Sequence, residues 1–159
     1  MLIDTLYGKI LFLLFVLVCS LEDFRSRHIK EAVFIAGAVA AAVCLIVAVC
    51  DDTFIAQAGP VRSEFLLRVV NGLVVAAIVW IISLITHQQI GFGDALFFTV
   101  TGIFLSCANV LLLCGSMLLA SLWSLGAVIA GIIKKKKIKG QELPFIPFTL
   151  PVAIAIAFI

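Results

Sequence analysis

Two aspartates stand where a carboxylate is costly. Asp94 follows Gly91-Phe92-Gly93 and opens a 39-residue stretch, residues 95–133, that holds no Asp, Glu, Lys, Arg or His. Asp23 closes the first apolar run, within Asp23-Phe24-Arg25-Ser26-Arg27-His28-Ile29. A carboxylate bordering hydrocarbon is usually paired, cavity-facing and functional, because an isolated one is expensive there. Two carboxyls held close cannot both ionise easily, so one keeps a proton and the other does not. The ionised one takes a proton from a water attacking a carbonyl. The protonated one donates to the carbonyl oxygen and assists departure of the amine. That is peptide hydrolysis without a metal or a covalent intermediate, so no cofactor is expected. Such a pair titrates jointly, and the sequence does not say which partner holds the proton. Each acid alone also has a plainer reading. Asp94 is then a helix N-cap with the glycines making the turn, and Asp23 a loop acid satisfied by Arg25 or Arg27.

The elements that must position these acids follow from composition. The chain has 159 residues, 64% hydrophobic and 13% charged, with a mean hydropathy of +1.30. A soluble domain carries about 25% charged residues, and a disordered chain needs low hydrophobicity and high charge. Both classes are excluded, which leaves a small all-α polytopic membrane protein of one domain, residues 1–159. A crossing helix takes roughly 20 apolar residues. Residues 3–21, 32–50 and 69–86 each suit one span, and the 39-residue run suits two, turning near Ser106 and Asn109. A sixth, shorter, proline-marked segment covers residues 144–159. The first apolar run resembles a signal peptide but lacks an Ala-x-Ala-like site, so it reads as a retained span.

Orientation follows from Lys and Arg in short loops. Arg25, Arg27 and Lys30 follow span one, and Lys134, Lys135, Lys136, Lys137 and Lys139 follow span five. Only Lys9, Arg62 and Arg68 lie on the other face, a split of eight against three. The expected topology is six transmembrane helices with both termini extracytoplasmic. Asp23 follows span one and Asp94 follows span three, so two acids 71 positions apart share the cytoplasmic membrane face. The other acids divide into extracytoplasmic ones (Asp4, Asp51, Asp52, Glu64) and ordinary interfacial ones (Glu22, Glu31, Glu142). Cys19, Cys44, Cys50, Cys107 and Cys114 sit in or beside apolar runs with no CxxC pair, which argues against zinc and disulfides.

Three motifs in order resemble a known family. Asp23-x-Arg25-x-Arg27-x-Ile29 is similar to the first aspartate motif of the type IV prepilin peptidases, and Gly91-Phe92-Gly93-Asp94 to their GxGD motif. Pro144-Phe145-Ile146-Pro147-Phe148 resembles the proline-phenylalanine motif that opens their last span. The resemblance covers nearly the whole chain. It implies an intramembrane aspartyl protease of the inner or plasma membrane, with its active site facing the cytoplasm. Asp23 and Asp94 would be the catalytic pair, and Gly91, Gly93, Pro144, Phe145, Pro147 and Phe148 would contact substrate. The implied partners are the bilayer and prepilin-like precursors with an apolar N-terminal helix, not nucleic acid. The methyltransferase region of the longer bacterial relatives is absent from these residues.

This chain departs from the family pattern at Lys30 and Glu31 (often Pro-Asn), at Leu96 (commonly Lys) and at Ile146 (usually small). These departures keep a second reading open: a catalytically degenerate member that binds pilin-like segments in a pilus or secretion assembly. A proton-coupled transporter fits less well, since transport sites lie near the midplane. His87, Gln88 and Gln89 read as helix-end polarity, and His28 has too many basic neighbours to be a base. Asn71 and Asn109 are expected to bond between helices. Gly37, Gly102, Gly115, Gly126 and Gly131 are expected to let helices pack closely.

Overall fold

The computed structural model of the chain describes residues 5–26, 29–50, 61–85, 92–133 and 145–158. Six α-helices account for almost all of them: α1 (Leu6–Ser26), α2 (Glu31–Cys50), α3 (Val61–Ile85), α4 (Phe92–Leu105), α5 (Ala108–Ile133) and α6 (Thr149–Phe158). A 3-10 turn, Ile146–Phe148, leads directly into α6. There is no strand among the described residues, as the apolar runs require. Among the described residues two stretches are long and apolar enough to cross a membrane, Leu66–Ile85 in α3 and Ala108–Gly126 in α5. Outside the described residues lie Asp4, Arg27, His28, Asp51, Asp52, His87, Gln88, Gln89, Gly91, Glu142, Pro144 and the lysine run at 134–139.

The uncharged 39-residue run divides where its polar residues cluster. Ser106 and Cys107 form the turn, with Ser106 in the left-handed region at φ 52°. The division is unequal: residues 95–105 complete the 14-residue α4, against 26 residues in α5. At ~1.5 Å per residue α4 is only about 21 Å long. It is also buried on nearly every side, through Ala95, Phe97, Phe98, Val100, Thr101, Phe104 and Leu105. A helix hydrophobic all round belongs in the middle of a bundle.

Glycine sets how closely α3 approaches α4. The buried stripe of α3 runs Arg68, Gly72, Val75, Ala76, Val79 and Ser83. A Cβ on Gly102 would run into the backbone of Gly72, and one on Gly72 would sit 2.7 Å from the Thr99 carbonyl. The two backbones therefore touch, a device of helix packing where lipid gives apolar side chains no drive to associate. Gly37 seats α2 on the Phe15 ring and Gly115 seats α6 through Val152. Gly126 corrects the expectation: a Cβ there meets nothing within 4 Å. Gly131 has no described surroundings. Asn109 does bridge helices. Its Nδ2 donates to the Phe98 carbonyl at 2.9 Å and its Oδ1 accepts from the Thr101 hydroxyl at 2.8 Å. Asn71 Nδ2 reaches Cys107 Sγ at 3.5 Å.

The surface is the reverse of a soluble protein's. Leu6, Ile10, Leu14, Leu17 and Leu21 form an exposed apolar stripe on α1, and similar faces run along α3 and α5. Arg68, Thr101, Asn109, Ser116 and Thr149 are buried instead. Apolar surface of this extent marks a membrane or a partner rather than water.

Candidate active site

The buried stripe of α1 consists of Gly8, Phe12, Phe15, Val16, Cys19 and Ser20. Side chains three and four apart share a helix face, so Asp23, four residues after Cys19, continues that stripe into the last turn. Asp23 therefore turns towards the bundle and not out into a loop. Its Oδ2 accepts a hydrogen bond from the backbone N–H of Ile146 at 3.2 Å.

Asp94 lies within the first turn of α4 and is only 8% exposed. It is part of the helix, not the residue capping it from outside. Position in the first turn still suits an anion, because the unsatisfied N–H groups there carry partial positive charge. One turn later on the same face is Phe98, whose ring lies 6.3 Å from that of Phe145.

An aromatic ladder relates the two acids. Phe12 meets Phe104 with ring centroids 5.8 Å apart, and Phe15 stacks on Phe97 at 5.7 Å. Numbers rise along α1 as they fall along α4, so the helices are antiparallel. Asp23 is eight residues beyond Phe15 and Asp94 three residues before Phe97. Both acids therefore lie at the same end of the pair, about 12 Å and about 4–5 Å past the last ring contact. The Phe145–Ile146 segment spans this end, touching α4 through Phe98 and α1 through Asp23.

The remaining site expectations separate. Gly93 is half-buried, and a Cβ there would make only an ordinary contact, 3.9 Å from Phe34 Cζ. Its φ is not positive, so neither packing nor backbone demands glycine at 93. Phe145 and Pro147 are half-buried beside Asp23's partner. Phe148 faces α5, its ring 6.3 Å from Trp123. Ile146 is buried, and Leu96 packs against the core. Among the described residues no three His, Cys, Asp or Glu side chains gather as metal ligands would.

Two residues have roles that the sequence reading missed. Glu22 reads as an ordinary interfacial acid, yet its Oε2 accepts the Lys30 N–H at 3.1 Å and its Oε1 lies 4.0 Å from Lys30 Nζ. It thus ties the end of α1 to the start of α2, beside the first aspartate motif, and Lys30 serves that tie. Arg68 reads as a topology charge but is 3% exposed. Its Nη1 reaches the carbonyls of Ile103 and Phe104 at 3.5 and 3.4 Å, at the C-terminal end of α4. The Arg68–Gly72 spacing of four residues was the available signal, since it puts the cation on the packing face.

Comparison with known proteins agrees with the motifs. No curated protein matches the chain, and no solved structure does. The model of the type IV leader peptidase family matches residues 10–159, nearly the full length and including both aspartates. The chain belongs to the type IV leader peptidase family, a family of proteases.

Proposed function

We propose that this chain is an intramembrane aspartyl endopeptidase. It cleaves the leader of prepilin-like precursors, type IV pilins or pseudopilins, at the cytoplasmic membrane face. The observation that carries this reading is the antiparallel Phe12–Phe104 and Phe15–Phe97 ladder, which brings Asp23 and Asp94 to one end of the bundle. Family membership supplies the reaction class. In this reading one carboxylate draws a proton from the attacking water while the other, protonated, donates to the scissile carbonyl and then to the amine. The axial step between the acids is the space for water and a peptide bond.

The helices are read as six spans in one domain, residues 1–159, with both termini extracytoplasmic and the acids cytoplasmic. The apolar exposed faces support this, and the eight basic residues at 25–30 and 134–139 set the orientation. The shortness of α4 leaves Asp94 recessed from the headgroups, reachable through a water-filled pocket between helices. The substrate's apolar helix lies among the spans and presents its leader there, against Gly93 and the Phe145–Phe148 segment. Gly91 and Pro144 are assigned to the same surface by their motifs.

The test is leader cleavage in detergent by Asp23→Asn and Asp94→Asn. Each abolishes cleavage while the protein still inserts, and robust cleavage by either variant ends the proposal. A wild-type chain that binds a pilin segment without cutting it would favour the degenerate binding role instead. The departures do not by themselves favour that role, since Leu96 and Ile146 pack in or against the core and the exposed Lys30 is tied to Glu22.

A further inference from the structure

We propose that Thr149 is a positioning residue for Asp23: its buried hydroxyl locks the turn that presents the Ile146 N–H to the Asp23 carboxylate. This rests on the reading of Asp23 as one of the two reacting acids.

The inference starts from a polar group where packing asks for none. Between residues 144 and 159 Thr149 carries the only hydrogen-bonding side chain. It lies on the packing stripe of α6 with Ala153 and Ala157 and is fully buried. Valine has nearly the same shape and no hydroxyl to take out of water, so packing alone favours valine there. The hydroxyl donates to the Ile146 carbonyl at 2.6 Å.

The local backbone shows what that donor is for. Proline has no N–H, so Pro147 and Pro151 remove two of the five backbone donors from 147 to 151. The Thr149 N–H is itself shared between the Ile146 and Pro147 carbonyls. The hydroxyl adds a donor where the prolines have taken donors away. Ile146 is then gripped on both sides of its Cα, its carbonyl by the Thr149 hydroxyl and its N–H by Asp23 Oδ2 at 3.2 Å. Its side chain is in the core, and the Phe145 ring before it lies on Phe98, one turn from Asp94. A hydrogen-bonded path thus runs from α6 through Ile146 to the acid on α1. Asp23 has a further interaction besides this one, so the path supplies part of its orientation and not all of it. A reacting carboxylate must hold its direction, and loosening one of its anchors costs rate.

Hydroxyl-to-carbonyl bonds recur in helices with no link to chemistry, so the experiment includes one as a control. Ser116 is also fully buried, and its hydroxyl donates to the Leu112 carbonyl on α5. Cleavage of a prepilin-like peptide by the full-length chain in detergent is followed as kcat and KM, per folded enzyme, for Thr149→Val, Thr149→Ser and Ser116→Ala. Thr149→Val is expected to lower kcat about fivefold, within what one hydrogen bond contributes, with KM within about twofold. Thr149→Ser keeps the hydroxyl, and it and Ser116→Ala both stay within about twofold of wild type in kcat. A fall in kcat of less than about threefold for Thr149→Val overturns the inference. So does a serine variant as slow as the valine one, which would make the methyl and not the hydroxyl responsible. An equal loss from Ser116→Ala overturns it as general loosening, and a loss confined to KM overturns it because the turn would then serve substrate and not the acid. Asp23→Asn is the separate arm: if it still cleaves, the reading of Asp23 as a reacting acid fails, whatever Thr149→Val does.

Discussion

The two ends of α4 carry opposite charges and are built differently. At its first turn stands Asp94, and at its last carbonyls stands Arg68 from α3. Both charges match the helix dipole, anion at the N-terminus and cation at the C-terminus. Both are nearly buried. Burial and dipole therefore do not distinguish a reacting acid from a structural cation. The surroundings do. At the Arg68 end every device closes the fold: Gly72 against Gly102, Asn109 on Phe98 and Thr101, Ser106 in a left-handed turn. At the Asp94 end stand a glycine that packing does not require, a second acid, and a backbone donor from a distant segment. One end is an anchor; at the other, two acids share an end of the helix pair, with Gly93 beside Asp94 and the Ile146 N–H on Asp23.

Substitutions at each end sharpen that contrast. The largest effect belongs to the acids. Asp94→Asn is expected to lower kcat/KM about 10³-fold or more, with thermal stability in detergent near wild type. An equal loss of stability would make Asp94 an anchor as well. Next is Gly102→Ala, which forces Cβ into the Gly72 backbone. It should cost about 1–3 kcal/mol, read as a lower unfolding midpoint, with normal kcat for the folded fraction. Arg68→Met follows, at about 1–2 kcal/mol for the lost charge at the end of α4. It should spare cleavage, and a selective loss of kcat would show that the anchor end reaches the chemistry. Gly93→Ala is the smallest in stability, within about 0.5 kcal/mol. It nonetheless lowers kcat/KM if the bare backbone at 93 admits substrate. A neutral outcome in both measurements would remove Gly93 from the site.

Local features were legible in the residues themselves. The six apolar segments, the turn at Ser106 and the aspartates at their ends follow from runs, periodicity and polar interruptions that neighbours in sequence define. The unequal lengths of α4 and α5 were not legible, because no charge marks where the uncharged run enters or leaves the bundle. Arg68 was misread because charge counting treats every cation near a span as solvent-facing. Its place on the stripe with Gly72 makes it a packing residue. Glu22 and Lys30 were read one at a time, and only a turn that brings residue 30 back to residue 22 makes them a pair.

By itself the sequence determined the chemistry on offer: an apolar chain whose acids are few, two of them standing at motifs beside long uncharged runs. That much follows from composition and spacing. Only the tertiary structure decided that α1 and α4 run antiparallel through their phenylalanines, and so that Asp23 and Asp94 share an end. It also decided which backbone amide holds Asp23. Every residue but proline carries an N–H, so nothing in the letters singles out Ile146. The pairing arises from how three distant segments pack.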